Sequence, residues 1–420
     1  MFILILLYLI LTIIRPQDYM PALAGVPAMP AVLMLAFLVW LTGSRRNFDA
    51  PQFLILPAFL LVGMSSQVVN GWGGGALNVL TDFGPTVIAF FVLAASCTTR
   101  HRVTITMMVF VVCATVLALH SIDQANTGMG WTGLALNEDG RVRYVGIFND
   151  PNDLGLLFAA TLPMAFFLSS LGGLLRRLFW LIAVALLLYG TYLTNSRGAM
   201  LAVLAVGGIY IWRRRGIFTA GVLAALGLVG MRLLSSRMQD LDPDESSAFG
   251  RVDAWYEGMH MFFSHPLFGV GPGNFTDYNY LTAHNSFVLV LAETGFIGYT
   301  LWLAFVVYGF WMMLTVLRYQ PESSPELDRA RQWRGECNMA FTLLLSLSGL
   351  FVCAFFLSRS YTVVLYLLIA VVVGYYMGMR QRWPGLPVFR LSRHWVRWLA
   401  VSMGSIVLLY IITTLLLIGT

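Results

Sequence analysis

The chain has 420 residues, of which 58% are hydrophobic and only 11% are charged, and its formal net charge is +6 at pH 7. A water-soluble globular protein carries about a quarter charged residues, because its surface must be hydrated. The composition therefore excludes a soluble globular protein. Apolar runs of membrane-spanning length recur along the sequence, and in lipid such runs satisfy their own backbone hydrogen bonds as helices, so we expect an all-α, polytopic membrane helix bundle.

All 26 positively charged side chains are arginine, since the sequence contains no lysine. Two explanations remain open. A codon preference would replace lysine everywhere, whereas binding of phosphate oxygens would favour the planar, forked guanidinium at particular positions. The positions of the arginines are therefore more informative than their number.

Thirteen apolar runs predict a single integral membrane domain over residues 1–420, with about 12–13 transmembrane helices. The first run ends in Arg15-Pro16 without a small-residue cleavage site, so we expect a retained helix and not a signal peptide. The runs are residues 2–14, 28–43, 52–69, 79–97, 103–121, 154–172, 178–194, 198–212, 216–233, 295–317, 337–357, 361–379 and 398–417.

Arginines between the predicted spans are concentrated on one face, which the positive-inside rule makes cytoplasmic. Eighteen of them lie in the loops at 45–46, 100–102, 176–177, 213–215, 318–334 and 380–397. The other eight are Arg15, Arg141, Arg143, Arg197, Arg232, Arg237, Arg251 and Arg359. We therefore expect a multi-pass membrane protein whose chemistry lies on the opposite, extracytoplasmic side.

Two outward segments, residues 122–153 and 234–294, are too long to be simple turns, and loops of such length usually carry function. We expect the larger periplasmic loop to contain short helices. An acidic run at 240–245 lacks the turn glycine and the twelfth-position glutamate of a calcium loop, so we expect a solvated loop there.

The end of the first outward segment combines a helix start with two arginines. Asn149 or Asp150 before Pro151 predicts a capping side chain followed by proline at the first helical position. This interpretation does not account for Arg141 and Arg143, which are two residues apart and would line one edge of an extended segment.

Arg197 lies in a turn of only a few residues between two predicted spans. An arginine so close to the membrane plane is costly unless its side chain extends to the lipid headgroups or meets an anion. Both interpretations remain open for Arg197.

Residues 250–263 predict an amphipathic helix with two distinct faces. One face carries an arginine and large apolar side chains: Arg251, Trp255, Met259 and Phe262. The other carries three polar side chains: Asp253, Glu257 and His260. The spacing on this second face fits either a metal site or an ordinary hydrated helix face.

The second outward segment ends in a turn and a short helix. Gly269–Gly273 is glycine-rich but lacks the lysine and hydroxyl residue of a phosphate-binding loop. His284 and Asn285 then open an apolar helix of about ten residues, too short to cross a membrane, which breaks at Thr294-Gly295. A lone histidine there is commonly a polar anchor, but its titration near neutral pH also makes it a candidate base.

Several of these segments together resemble the O-antigen ligase and polymerase family. The resemblance rests on Arg-Val-Asp-Ala-Trp from 251, His-Pro-Leu-Phe-Gly-Val-Gly-Pro-Gly-Asn-Phe from 265, His-Asn from 284 and Glu-Thr-Gly-Phe-Ile-Gly from 293. The stretches Gly-Ile-Phe-Asn-Asp-Pro-Asn-Asp-Leu at 146–154 and Asn-Ser-Arg-Gly at 195–198 resemble two further family segments. No single piece is specific, and the resemblance depends on their order and topology.

The resemblance implies a metal-independent, inverting glycosyltransferase that needs no cofactor and takes its glycan from undecaprenyl pyrophosphate. It also implies a multi-pass protein of the bacterial inner (cytoplasmic) membrane, with an active site that faces the periplasm. It implies that His284 is the catalytic histidine. The implied donor-binding arginines are Arg197 and Arg251, with Arg141 or Arg143. The implied supporting residues are Asn285, Glu293, Trp255 and Asn152.

The implied chemistry suits these residue types. An attacking hydroxyl must lose its proton, and a histidine that titrates near pH 6.5 is a suitable base. The leaving lipid pyrophosphate carries charge, which arginine forks can hold in a partly dry site.

The implied partners are an undecaprenyl-pyrophosphate-linked glycan donor, a lipid A-core or glycan acceptor and membrane lipids, and no nucleic acid is expected. A ligase of lipopolysaccharide biosynthesis and a polymerase that joins polysaccharide repeat units share these segments and differ in their acceptor. We rank the ligase first and the polymerase as its alternative. A polysaccharide or lipid transporter ranks below both, because it would be expected to show repeat symmetry and ionisable residues in broken helices at mid-membrane.

Overall fold

The computed structural model describes residues 1–43, 47–234, 246–321 and 327–418. Outside the described residues lie Arg45, Arg46, Arg237 and the acidic run at 240–245. Over the described ranges the protein is all-α, as predicted, and its one strand-like pairing is an isolated bridge between Met129 and Ala135.

The described ranges contain fifteen α-helices, and each of the thirteen predicted apolar runs coincides with one of them or with part of one. Their bounds are α1 Phe2–Ile14, α2 Ala28–Leu41, α3 Gln52–Val69, α4 Gly73–Ser96, α5 Arg100–Thr127, α6 Pro151–Ser169, α7 Leu174–Leu193, α8 Arg197–Arg215, α9 Ile217–Leu234, α10 Ser246–Ser264, α11 Phe275–Tyr278, α12 Ser286–Arg318, α13 Leu327–Phe355, α14 Val363–Arg382 and α15 Leu391–Ile418.

Of the helices within the described ranges, nine are long and apolar enough to cross a membrane, namely α3 to α7 and α12 to α15. The helices α1 and α2 and the Ile217–Gly230 part of α9 are apolar but shorter. Helix α8 is long enough, but it begins with Arg197 and ends with three arginines. The predicted set of about 12–13 spans therefore divides into nine full-length helices and four that are shorter or more polar.

Helix α14 lies in the interior of the bundle, where it packs against α4 and α12. It is buried at nearly every position, and α6 and α13 are buried at most of theirs, whereas α7 and α15 leave most side chains exposed. A helix that is apolar around its whole circumference, as α14 is, requires cover on every side. The segments that flank α6, α13 and α14 form the site described below.

Helix α12 is broken at Gly295, as the sequence predicts, where the backbone has φ 62° and ψ −164°. The break leaves carbonyl groups without partners inside the helix, and an apolar environment makes such groups costly. The glycine-rich turn supplies the donors: Val270 N–H donates to the Ala292 carbonyl at 2.9 Å and Gly271 N–H to the Glu293 carbonyl at 3.0 Å. The turn at 269–273 therefore satisfies carbonyl groups that the break in α12 leaves without helical partners.

This close approach requires glycine on both sides. A Cβ added at Gly269 would lie 2.3 Å from the backbone carbon of Glu293, and one added at Gly295 would lie 2.5 Å from that of Leu267. Both glycines also have positive φ, which side chains disfavour. Larger residues at either position would separate the turn from the helix.

One end of the bundle is rich in arginine and is held by ion pairs. Arg382 pairs with Glu336 at 3.1 Å and donates to the Thr98 carbonyl at 2.9 Å. Arg380 faces Asp49 at 3.5 Å. Arg380 and Arg382 belong to the loop at 380–397, on the predicted cytoplasmic face.

Candidate functional site

Four segments meet at the opposite end of the bundle, which we call the site end. They are residues 141–153, which lead into α6, residues 194–197, which join α7 to α8, residues 284–286 at the start of α12, and residues 357–361 between α13 and α14. Hydrogen bonds join them across the chain: Ser286 Oγ donates to the Leu357 carbonyl at 2.6 Å, for example. The site is therefore assembled from distant parts of the sequence.

Arg141 is buried and holds two of these segments together. Its Nε donates to the Thr194 carbonyl at 2.8 Å, and its Nη2 donates to Asn152 Oδ1 at 2.9 Å. Because a guanidinium presents its donors in a rigid fork, one side chain fixes the turn before Arg197 relative to the start of α6.

Arg143 has different contacts and is partly exposed. Its Nε donates to the Ala135 carbonyl at 2.9 Å, and its backbone N–H donates to Gln124 Oε1 at 2.8 Å. Of the two arginines that the sequence offered as alternatives, Arg143 therefore has the more accessible side chain.

Helix α6 begins with the predicted cap, since Asp150 Oδ1 accepts hydrogen bonds from Asn152 N at 2.8 Å and from Asn152 Nδ2 at 2.9 Å. Pro151 occupies the first helical position, as expected. The remaining oxygen of Asp150, Oδ2, faces Arg359 Nη2 at 3.7 Å. Asp153, in the same helical turn, also pairs with Arg359.

Arg359 is the central link between the 357–361 segment and the rest of the site end. Its Nε donates to Asp153 Oδ1, and its backbone N–H donates to Ser286 Oγ at 3.0 Å. Burial lowers the pKa of Arg359, but the hydrogen bond and charge of Asp153 and the charge of Asp150 outweigh it, so the pKa is raised overall. The guanidinium is therefore charged.

These side chains line a cavity of about 470 Å³, which we call the arginine–aspartate cavity. Its polar lining consists of Asn149, Asp150, Asp153, Ser358, Arg359, Tyr361 and Thr362. Gly146 closes one side, and a Cβ added at Gly146 would lie 2.0 Å from Arg15 Nε. Arg15, another of the eight outward arginines, is thus packed against the cavity wall.

His284 has a backbone φ of 47°, in the left-handed region that few residues other than glycine adopt. Asn285 then caps α12, because its Oδ1 accepts hydrogen bonds from the N–H groups of Phe287 at 2.9 Å and Val288 at 3.2 Å. The prediction that His284 and Asn285 stand at the start of this helix is confirmed. Backbone conformations of this kind are concentrated at functional sites.

Three charged side chains act on the half-buried imidazole of His284. Burial lowers the pKa of His284, the positive charges of Arg251 and Arg359 lower it further, and the carboxylate of Asp150 raises it. A lowered pKa keeps the imidazole neutral at neutral pH, and a proton acceptor must be neutral. Charged residues from the cap of α6, from α10 and from the 357–361 segment therefore lie near His284.

Helix α10 carries Arg251 into these surroundings. Trp255 is buried one turn further along, and its ring meets Phe355 edge-on at 5.8 Å. Met259 and Phe262 are also buried, so the predicted apolar face is confirmed. Helix α10 packs mainly against α12 and α15, and this ring contact links it to the end of α13.

The opposite face of α10 carries Asp253, Glu257 and His260, all at least partly exposed. His260 Nδ1 contacts the Tyr256 carbonyl of its own helix at 3.1 Å. Among the residues that the structure describes, no three histidine, cysteine or acidic side chains converge in a way that could hold a metal ion.

Arg197 is the first residue of α8 and follows a tight turn. Asn195 has a φ of 46°, and Ser196 caps the helix by accepting a hydrogen bond from Ala199 N–H at 3.4 Å. A Cβ built at Gly198 would lie 3.5 Å from Phe356. The start of α8 is thereby next to the 357–361 segment.

Glu293 is buried beside the helix break. Its Oε1 accepts a hydrogen bond from Gly273 N–H at 3.0 Å, so the carboxylate anchors the glycine-rich turn. Burial and the charge of Glu293 raise the pKa of the Tyr361 hydroxyl, which shows that the two groups are neighbours. Within the described residues, neither Glu293 Oε2 nor Tyr361 Oη has a hydrogen-bond partner of normal geometry.

Residues 182–303 match the family model described as O-Antigen ligase. Over these residues the chain is similar to the O-antigen ligase family. The predicted family resemblance is confirmed, and the matched segment contains Arg197, Arg251 and His284. Comparison with curated proteins gives no match.

Three site-end residues were not assigned to a site from the sequence: Asp153, Arg359 and Tyr361. Arg359 had one available signal, because it is among the eight arginines outside the predicted cytoplasmic face. Asp153 belongs to a stretch that resembles a family segment, but its pairing with Arg359 depends on residues 206 positions apart.

Proposed function

We propose that this protein transfers a glycan from undecaprenyl pyrophosphate to an acceptor hydroxyl at the periplasmic face of the bacterial inner membrane. The match of residues 182–303 to the O-antigen ligase family model supports a role in surface polysaccharide biosynthesis and glycosyltransferase-like activity. The observation that carries the proposal is the position of His284, whose pKa responds to Arg251, Arg359 and Asp150.

His284 acts as the general base. The acceptor hydroxyl attacks the anomeric carbon of the donor glycan, and its proton passes to the neutral imidazole. The new glycosidic bond forms as the bond from the anomeric carbon to the pyrophosphate oxygen breaks, which inverts the configuration. Undecaprenyl pyrophosphate leaves with the bonding electron pair, and the transfer is independent of metal.

Arginines stabilise the leaving group, since hydrogen bonds from guanidinium to phosphate oxygens are strong and forked. Arg197 and Arg251 contact the pyrophosphate, and Arg143 is the third donor-binding arginine. Arg141 instead positions the turn before Arg197 through its contact with Thr194. Arg359 positions the start of α12 through Ser286, next to His284.

The supporting residues hold this arrangement in place. Asn285 caps α12, Glu293 anchors the glycine-rich turn and Trp255 packs α10 against α13. Asn152 connects Arg141 to the cap of α6. The acceptor is lipid A-core if the protein is a ligase, and a second repeat unit if it is a polymerase.

The test uses purified protein, undecaprenyl-pyrophosphate-linked glycan and two acceptors, lipid A-core and a second repeat unit, with product size as the readout. We expect His284→Asn to lose at least about 100-fold in turnover, as the loss of a general base does. Asparagine tolerates a positive φ, so the variant separates the base from the backbone conformation. His260→Asn, on the exposed face of α10, is the control, and equal activity of the two variants would refute the proposal.

A further inference from the structure

A second polar cavity adjoins the arginine–aspartate cavity, and none of the predicted site residues lines it. Its volume is about 550 Å³, and we call it the Trp72 cavity. Ligand sites in proteins have volumes of about 300–1,000 Å³. The aromatic and polar side chains in its lining include Gln67, Trp72, Asn78, Asp82, Asn274 and Tyr361.

One wall of the Trp72 cavity is a single face of α4, on which Asn78 and Asp82 are four residues apart. Helix α4 is otherwise apolar enough to cross a membrane. Over the described residues the Asp82 carboxylate makes no ion pair or hydrogen bond. An ionisable side chain in such a helix is costly, and it marks a functional site when it faces a cavity.

Trp72 forms the rim of the cavity at the start of α4. Its ring lies over Gly75, since a Cβ added at Gly75 would be 2.4 Å from ring carbon Cε3. Trp72 is nevertheless 49% exposed, so one face of the indole is supported and the other is accessible. The run of glycines at 73–75 leaves room for the ring.

The wall opposite α4 is the glycine-rich turn, which α3 holds in place. Gln67 Nε2 donates to the Pro272 carbonyl at 2.7 Å, and Gln67 Oε1 accepts from Asn274 Nδ2 at 3.3 Å. Behind this wall Glu293 is 2% exposed, and its Oε1 accepts a hydrogen bond from Gly273 N–H at 3.0 Å, which fixes the turn from its other side.

The charges of the residues that line the Trp72 cavity determine which kind of ligand it can bind. Asp82 and Asp277 both line the cavity, and the lining contains no arginine, lysine or histidine, so it repels a pyrophosphate. A sugar ring has apolar C–H faces, which pack on an indole, and hydroxyl edges, which donate to carboxylates and amides. Tyr361 lines this cavity and the arginine–aspartate cavity, so the two are neighbours.

We propose that the Trp72 cavity binds the acceptor glycan, through its uncharged sugar hydroxyls, beside the arginine–aspartate cavity at the site end. This inference rests on the proposed function, but binding of a free glycan can be tested without any transfer.

The first experiment is isothermal titration of the purified full chain with core oligosaccharide and with repeat-unit oligosaccharide, both released by mild acid from the source bacterium's surface polysaccharide. We expect at least one to bind saturably. Asp82→Asn should weaken that binding at least about tenfold, because the sugar hydroxyl loses its charged acceptor. Trp72→Ala should also weaken it, because the sugar loses the ring on which its C–H face packs. The controls are Glu138→Gln and Trp131→Ala, in an outer loop that lines neither cavity. No binding by the wild type, or equal binding by Asp82→Asn and Glu138→Gln, would overturn the inference.

The second experiment separates the acceptor from the donor. In the transfer assay we expect Asp82→Asn to raise the KM for the acceptor about tenfold and to leave the KM for the lipid-linked donor unchanged. A rise in the donor KM alone would make the cavity a donor subsite and would overturn the acceptor assignment. If the wild type binds glycan through Asp82 but forms no product, the glycan site stands and the proposed transfer fails.

Discussion

Arg141 donates a hydrogen bond from Nε to the backbone carbonyl of Thr194 at 2.8 Å. Thr194 stands three residues before Arg197, in the turn between α7 and α8. An arginine that the sequence suggests as a donor-binding residue is therefore engaged with the protein's own backbone. Its effect on pyrophosphate binding, in our proposal, passes through the position of Arg197.

We expect Arg141→Lys to lower the thermal stability of the purified protein as well as its transfer rate. One ammonium group cannot reproduce the forked contacts to Thr194 and Asn152, and an unsatisfied buried carbonyl costs about 1–3 kcal/mol. Arg143→Lys is the matched control and should leave the melting temperature nearly unchanged. Equal stability of Arg141→Lys and Arg143→Lys would contradict the positioning role.

Gly295→Ala should destabilise the protein severely. The glycine has φ 62° and ψ −164°, a conformation that residues with a Cβ reach at a cost of about 1–3 kcal/mol, and the added Cβ would also meet the Leu267 backbone at 2.5 Å. Gly309→Ala, in the regular part of the same helix, is the control, because the nearest atom to its Cβ would be at 3.6 Å. Thermal unfolding in detergent gives the melting temperature of each variant. Similar melting temperatures for Gly295→Ala and Gly309→Ala would contradict the close contact between the glycine-rich turn and the break in α12.

The pH dependence of kcat/KM should show an acidic limb below pH 6.5. His284 must be neutral to accept a proton, and burial together with the charges of Arg251 and Arg359 lowers its pKa from 6.5. Activity is therefore lost as the pH falls through this lowered pKa. The midpoint of the limb in a pH–rate profile is the measurement.

Two variants should shift the midpoint of the acidic limb of the pH–rate profile in opposite directions. Arg251→Gln removes a charge that lowers the pKa of His284, so the midpoint should move to higher pH. Asp150→Asn removes a charge that raises it, so the midpoint should move to lower pH. The position of the limb is read independently of the absolute rate, and a shift of both in the same direction would argue against His284 as the base.

Asp153 and Arg359 should be coupled in a double-mutant cycle. Asp153→Asn and Arg359→Gln each leave a polar partner without its counter-charge and should cost about 1–3 kcal/mol. The double variant should lose less unfolding free energy than the two single variants together, by at least about 0.5 kcal/mol, because the same contact cannot be lost twice. Additive losses of unfolding free energy would show that the pair does not stabilise the fold.

Local features of this fold follow directly from the sequence. The apolar runs predict the helices, the Asp150-Pro151 pair predicts the cap of α6, and Gly295 predicts the break in α12. In each case the determining physics, which is backbone geometry or burial in lipid, acts within a few residues. The glycine-rich turn at 269–273 was recognised as a turn, but its role in satisfying the carbonyls of α12 depends on packing between separate segments.

The pairing of site residues could not be read from the sequence. Arg141 and Arg143 are equivalent in the pattern, yet one is buried against Thr194 and the other is partly exposed. The Trp72 cavity lies between α3, α4 and the glycine-rich turn, and no local pattern places Asp82 opposite Asn274. Such relationships arise from helix packing, which the periodicity of one helix does not specify.

The ion pair between Asp153 and Arg359 has a consequence for biogenesis, because it joins residues 206 positions apart. Because the chain is made from its N-terminus, α6 is inserted long before Arg359 leaves the ribosome. Until Arg359 is made, Asp153 cannot form this ion pair. The segment that matches the family model, residues 182–303, contains neither of these two residues. The site end therefore includes an ion pair that lies outside that segment, and this pair forms only when the chain beyond α13 has been made.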